Sequence, residues 1–139
     1  MRKPRAIVFD DEEMVLSLFR DILEQQDFEV LIYSEPEVCP VYKEKDAECG
    51  KDKPCADVLI TDLRMPGMNG IELLQKQTER GCLLTIKNKA VITADLSEEN
   101  GETISDLGCG YIKKPFKLDE IRDWVTDCLK RVDLSKPVG

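Results

Sequence analysis

A chain of 139 residues, 42% of them hydrophobic, suffices for one domain around one core and is too apolar for a disordered tail. A net charge of −8 and a pI near 4.7 argue against a nucleic-acid-binding module, whose usual footprint is a basic face. The chain has no His, which rules out imidazole triads and zinc sites that need imidazole, and no apolar run approaches the roughly 20 residues that span a bilayer.

The basic start, Met1-Arg2-Lys3-Pro4-Arg5, is followed only by Ala6 to Phe9 before Asp10 and Asp11, too short for the apolar part of a signal peptide. The expectation is a cytoplasmic protein with no membrane insertion and no direct nucleic-acid contact. Arg5 to Phe9 is a strand signal. Met14, Val15, Leu18, Phe19, Ile22 and Leu23 then recur at helical spacing, and the acidic residues ahead of them suit the positive end of a helix dipole. Phe28 to Tyr33 is a second strand. Ser34 fits an N-cap for a helix beginning at Glu35-Pro36 and weakening after Tyr42.

The polar stretch from Lys43 to Ala56 reads as a loop or insertion. Asp57 to Thr61 is a third strand ending on Asp62, and the turn at Pro66-Gly67 follows. Gly70 to Arg80 is a helix closed by Gly81, and Lys89 to Thr93 a fourth strand. A weakly apolar helix runs from Ser97 to Leu107 and ends at Gly108. Gly110 to Ile112 is a short fifth strand, and Leu118 to Val132 a final amphipathic helix. The tail, 133–139, is expected to be flexible. Five strands alternating with five helices predict an α/β fold: a doubly wound, flavodoxin-like parallel sheet in the order 2-1-3-4-5.

Such a sheet gathers the carboxyl ends of its strands on one edge, here Asp10, Asp11, Asp62, Thr93 and Lys114. Three crowded carboxylates repel one another unless a cation sits among them. All-oxygen ligands completed by water suit Mg²⁺. Lys114 adds a fixed positive charge, the Thr93 hydroxyl can donate to an arriving phosphoryl oxygen, and Ala94 leaves room for it. Asp10 and Asp11 could instead cap the first helix, and Thr93 could be an ordinary strand residue. The concurrence of five such features at the ends of four strands favours phosphoryl transfer to a carboxylate.

From about Lys3 to Arg131 the chain resembles the response-regulator receiver domains of two-component signalling. The resemblance rests on Asp10-Asp11, the run from Asp62 to Gly70, Thr93-Ala94, and Tyr111 followed by Lys114-Pro115-Phe116. It implies a receiver domain over 1–132 with Asp62 as phosphoacceptor. By the same resemblance, Asp11 and Asp62 hold Mg²⁺ with the Arg64 backbone carbonyl, and Asp10 assists through water. Thr93 and Tyr111 would be a switch pair, Lys114 would hold the phosphoryl group, and the Lys114-Pro115 bond would be cis. The implied partners are a sensor histidine kinase or phosphotransfer protein and a downstream protein target, with catalysis confined to the domain's own phosphorylation and dephosphorylation.

Two alternatives remain: a Mg²⁺-dependent phosphohydrolase with an Asp nucleophile, and a receiver that binds partners without phosphorylation. The first lacks a second acidic residue at position 64, where Arg stands, and the intact acidic trio with Thr93 and Lys114 speaks against the second. The chain departs from the family in the longer stretch at about 43–56, with Cys39, Cys49 and Cys55 in or beside it. Cys128 falls on an apolar helix face and Cys109 at a strand start, both expected to be packed. Cys39, Cys49, Cys55 and Cys82 could converge at the edge opposite Asp62, where four thiolates would suit zinc or an iron–sulfur cluster, or a redox pair. No Cys-x-x-Cys pair supports this.

Overall fold

The structure, a computed structural model, describes residues 1–43, 49–65 and 67–139. Its elements are β1 (Arg5–Phe9), α1 (Glu13–Glu24), β2 (Glu29–Tyr33), α2 (Pro40–Lys43), β3 (Val58–Asp62), α3 (Gly70–Glu79), β4 (Lys89–Thr93), α4 (Glu98–Leu107), β5 (Gly110–Lys113) and α5 (Leu118–Leu129), with a 3₁₀ turn at Ile86–Asn88 before β4. The strands form one parallel sheet in the order β2-β1-β3-β4-β5, as the alternating pattern predicts.

Side chains alternate across the sheet and divide the core in two. Ala6, Val8, Val58, Ile60, Ala90 and Ile92 point to one face, where Leu16 and Phe19 of α1 and Ile121 and Val125 of α5 cover them. Ile7, Phe9, Leu59 and Val91 point to the other, beneath Leu73 and Leu74 of α3 and Ile104 of α4. β3 and β4 are buried along their whole length, which is why both read as continuous apolar runs rather than as alternation.

The helix expected from Glu35-Pro36 does not form. Residues 34–39 are bends, turns and irregular chain, with the Cys39 N–H bonded to the Pro36 carbonyl at 3.0 Å, and the α2 range begins only at Pro40. Pro40 explains this: it has no N–H to give to a preceding turn and disfavours helical geometry at Cys39, yet suits the first position of a helix. Part of the polar stretch expected as an insertion, 44–48, and Pro66 of the turn after Asp62 lie outside the described residues. The last helix, α5, ends at Leu129 rather than the expected Val132, while the caps of α3 and α4 match expectation. Ser97 caps α4 by accepting from Asn100 N–H, and Gly81 and Gly108 take positive φ just past α3 and α4.

Residues 133–139, read above as a flexible tail, carry hydrogen bonds back to the domain. The Leu134 carbonyl accepts from Arg2 N–H, the Gly139 carbonyl from the Arg5 guanidinium at 2.7 Å, and Gly139 N–H reaches the Pro54 carbonyl at 2.8 Å.

Candidate functional site

Parallel register sets the strand ends level: Phe9 lies opposite Thr61, Asp62 opposite Ile92, and Thr93 opposite Lys113. The residues at those ends, or one or two steps beyond, therefore meet. Carboxylate oxygens of Asp10, Asp11 and Asp62 lie within 4.8 Å of one another. Asp10 and Asp62 are buried and Asp11 is exposed, so the cluster opens to solvent on one side.

α3 is brought hard against this edge by Gly70. Its N–H donates to the Leu63 carbonyl at 2.8 Å, and a Cβ there would lie 2.4 Å from the Asp62 carbonyl oxygen. Asn69 then caps the helix by accepting from Glu72 N–H. The run after Asp62 thus serves geometry as well as chemistry: it turns the chain sharply enough to leave the Asp62 side chain at the floor of an open pocket. That pocket, about 230 Å³, is lined by Asp11, Asp62, Thr93, Ala94 and Lys114, with Glu12, Arg64 and Asp95 around it.

Lys114 bridges the acidic groups. Its Nζ lies 3.1 Å from Asp10 Oδ2, 3.6 Å from Glu12 Oε1 and 3.7 Å from Asp62 Oδ1. The Lys114-Pro115 bond is cis. Burial works against the Lys114 charge, but the hydrogen bond to Asp10 and the charges of Asp10, Asp62 and Glu12 outweigh it and raise its pKa. Burial raises the pKa of Asp10, against the Glu12 N–H and Lys114, which favour the anion. Asp62 is pushed up to about 6, first by burial and then by the charge of Asp10. Lys114 opposes the shift, Asp11 adds to it, and the Arg64 N–H favours the anion. One ammonium does not neutralise three carboxylates.

Thr93 and Tyr111 are linked through the backbone. Thr93 Oγ1 accepts from Asp95 N–H at 3.3 Å, while the Thr93 carbonyl accepts from Lys114 N–H at 3.0 Å and the Tyr111 hydroxyl at 3.4 Å. Tyr111 is 38% exposed, so its ring lies outward.

A family profile described as the response regulator receiver domain matches residues 6–126. The chain belongs to that family. Among its relatives, this receiver domain is 29% identical over 131 residues to the phosphate regulon transcriptional regulatory protein PhoB of Rhizobium meliloti, covering 92% of this chain and 53% of PhoB. It is 29% identical over 130 residues to the chemotaxis protein CheY of Halobacterium salinarum, covering 90% of this chain and 96% of CheY. The chain thus spans about half the length of some curated relatives and nearly all of another. The receiver domain of the Francisella response regulator 1452 superposes with a TM-score of 0.72 at 22% identity, over 94% of this chain and 99% of that one. That likeness attests the flavodoxin-like receiver fold.

The receiver domain also has one site neighbour, Glu12, that sequence reading passed over. Glu12 pairs with Lys114 and its N–H donates to Asp10 Oδ1 at 2.9 Å. Its place directly after the acidic pair was the available signal. Arg64 and Asp95 form an exposed ion pair at 3.3 Å across the pocket rim. No helix among the described residues is long and apolar enough to cross a membrane.

All six cysteines are free thiols. Cys39, Cys49, Cys55 and Cys82 do come together: they line a single cavity of about 30 Å³ with Gln77 and apolar neighbours, at the sheet edge opposite Asp62. Burial pushes the Cys39 thiol up, and nearby Cys82 and Cys55 add to the effect. Cys128 is fully buried and Cys109 half-buried, both apart from that cavity.

Proposed function

We propose that this receiver domain is a phosphorylation-controlled switch whose Asp62 accepts a phosphoryl group from a sensor histidine kinase or phosphotransfer protein. The observation that carries the reading is the convergence of Asp11, Asp62 and Lys114 on one pocket open to solvent, with the buried Asp10 against them. The donor set fits Mg²⁺: three carboxylates crowd together with one ammonium among them, all ligand atoms are oxygen, and one side is left for water. Asp11 and Asp62 would hold the ion with the Arg64 backbone carbonyl, and Asp10 would assist. Bound there, Mg²⁺ supplies positive charge that neutralises the transferred group.

A carboxylate oxygen of Asp62 attacks phosphorus, the bond from phosphorus to the donor breaks, and the donor leaves with the bonding pair. Lys114 Nζ, 3.7 Å from Asp62 Oδ1, is within reach to pair with the phosphoryl oxygens. The Thr93 hydroxyl accepts from Asp95 and keeps its own proton for donation to a phosphoryl oxygen. Its movement inward leaves space into which Tyr111 turns, exchanging the bond to the Thr93 carbonyl for burial. The surface around α4, β5 and α5 then changes and binds a downstream protein.

Replacing Asp62 by Ala is expected to abolish labelling by acetyl phosphate in the presence of Mg²⁺; undiminished labelling refutes the assignment. Tyr111→Ala should keep labelling and change partner capture in a pulldown with and without beryllofluoride. Loss of labelling would instead put Tyr111 in the chemistry. Sustained turnover of a generic phosphate ester would support a hydrolase in place of a switch.

A further inference from the structure

The phosphoryl site leaves unexplained a second concentration of chemistry at the opposite edge of the sheet. Cys39 lies ahead of α2, Cys49 and Cys55 in the segment leading to β3, and Cys82 just past α3, yet all four face one small cavity. Three of the four sulfurs accept a hydrogen bond from a different side chain. Gln77 Nε2 lies 3.3 Å from Cys39 Sγ, Lys51 Nζ 2.9 Å from Cys55 Sγ, and Lys89 Nζ 3.2 Å from Cys82 Sγ. A cluster kept only for its apolar character needs no such donors.

Lys89 is the telling residue. It is 1% exposed, and its ammonium meets Gln77 Oε1 at 2.8 Å and Cys82 Sγ; no carboxylate pairs with it among the described residues. A buried ammonium without a counter-charge is strongly unfavourable, because it gives up its hydration and gains no opposite charge in return. An anionic sulfur centre would supply that counter-charge, and an alkyl side chain would suit the position better if there were none.

We propose that Cys39, Cys49, Cys55 and Cys82 form a binding site for a single thiophilic divalent cation, with zinc as its occupant. Four thiols release four protons to solvent and bind one ion, giving a tetrathiolate centre of charge −2, which the ammonium groups of Lys51 and Lys89 balance. A cavity of about 30 Å³ admits one ion and not a four-iron cluster, since a single water already needs roughly 10–15 Å³ of such space. The four sulfurs stand further apart than the ligands of one ion: among the described residues, only the Asp10, Asp11 and Asp62 group brings three ligand atoms within 4.8 Å. Binding therefore tightens the segment carrying Cys49 and Cys55 onto Cys39 and Cys82, joining α2, the approach to β3 and the end of α3. Gln77, Lys51 and Lys89 act as outer donors that orient the thiolates.

The test uses the full chain, purified under reducing conditions with excess Mg²⁺ to occupy the carboxylates. Zinc analysis is expected to find one equivalent per chain. Cobalt should give the thiolate charge-transfer and strong visible bands of a tetrahedral sulfur site, which carboxylates cannot produce. Cys39→Ser, Cys55→Ser and Cys82→Ser should each lose those bands, while Cys109→Ser and Cys128→Ser keep them. Lys89→Gln should keep the stoichiometry and weaken binding roughly 10–100-fold, the range for loss of an outer donor. Where a serine variant fails to fold, the zinc content and cobalt spectrum of the native chain decide alone. Absence of zinc and of the charge-transfer band, or a disulfide among these cysteines in place of metal, overturns the proposal.

Discussion

Asp62 carries a charge that the bare pocket does not want. Its pKa of about 6, against an ordinary value of 3.8, arises from burial and from Asp10 beside it. The native state therefore binds more protons than the unfolded chain between those values, and metal-free stability falls as pH rises from about 4 through 6. At neutral pH the ionised carboxylate costs about 3 kcal/mol by the same linkage. Asp62→Asn is therefore expected to raise the melting temperature in EDTA, by an amount corresponding to roughly 1–3 kcal/mol. Mg²⁺ should raise the melting temperature of the native chain and narrow the gap to the variant; a variant no more stable than its parent in EDTA contradicts the charge argument. Cys128 shows burial acting on a neutral acid. Its thiol is pushed up to about 11 by burial, with Arg131 opposing. It should resist iodoacetamide in the native protein at neutral pH and react once the chain is unfolded, as peptide mass mapping will show.

The sheet elements were the most legible in the sequence, because β3 and β4 are buried on both faces and their apolar runs follow directly from that. The start of α2 was misread because a local capping signal at Ser34 outweighed the veto exercised by Pro40 within the same stretch. Gly70 tests how closely an element must sit to serve the site. Adding a Cβ 2.4 Å from the Asp62 carbonyl oxygen forces α3 or the end of β3 to move, since both atoms belong to the backbone and no flexible side chain can yield. Gly70→Ala is expected to cost roughly 1–3 kcal/mol in chemical denaturation, the range for overpacking. It should also slow acetyl phosphate labelling of Asp62. Full stability with a normal rate would mean that the helix start adapts freely.

Across the whole molecule, the candidate site was legible because every member stands at a strand end or within two residues of one, and parallel register brings such residues together. The pairings at the other edge were not legible, because they join positions with no shared periodicity. Arg2 is the plainest case: its guanidinium grips Asp57 with both arms, at 2.6 and 2.8 Å, and Asp57 also accepts from Arg5 N–H at 2.7 Å. Asp57 is nearly buried, and it ties the chain start to the entry of β3, beside the place where Gly139 bonds Pro54 and Arg5. Removing Asp57 leaves the Arg5 N–H without its partner, while the partly exposed Arg2 guanidinium keeps its bonds to backbone carbonyls and regains water. Asp57→Ala is expected to lower stability by about 1–3 kcal/mol in urea denaturation, the range for a buried group left unsatisfied. Asp57→Asn should lose less, since its amide oxygen still accepts from Arg5 N–H. Because Asp57 stands at the edge opposite Asp62, the folded fraction of either variant should keep the parent's rate of phosphoryl uptake. A slower rate in fully folded protein would show that the two edges of the sheet are mechanically coupled.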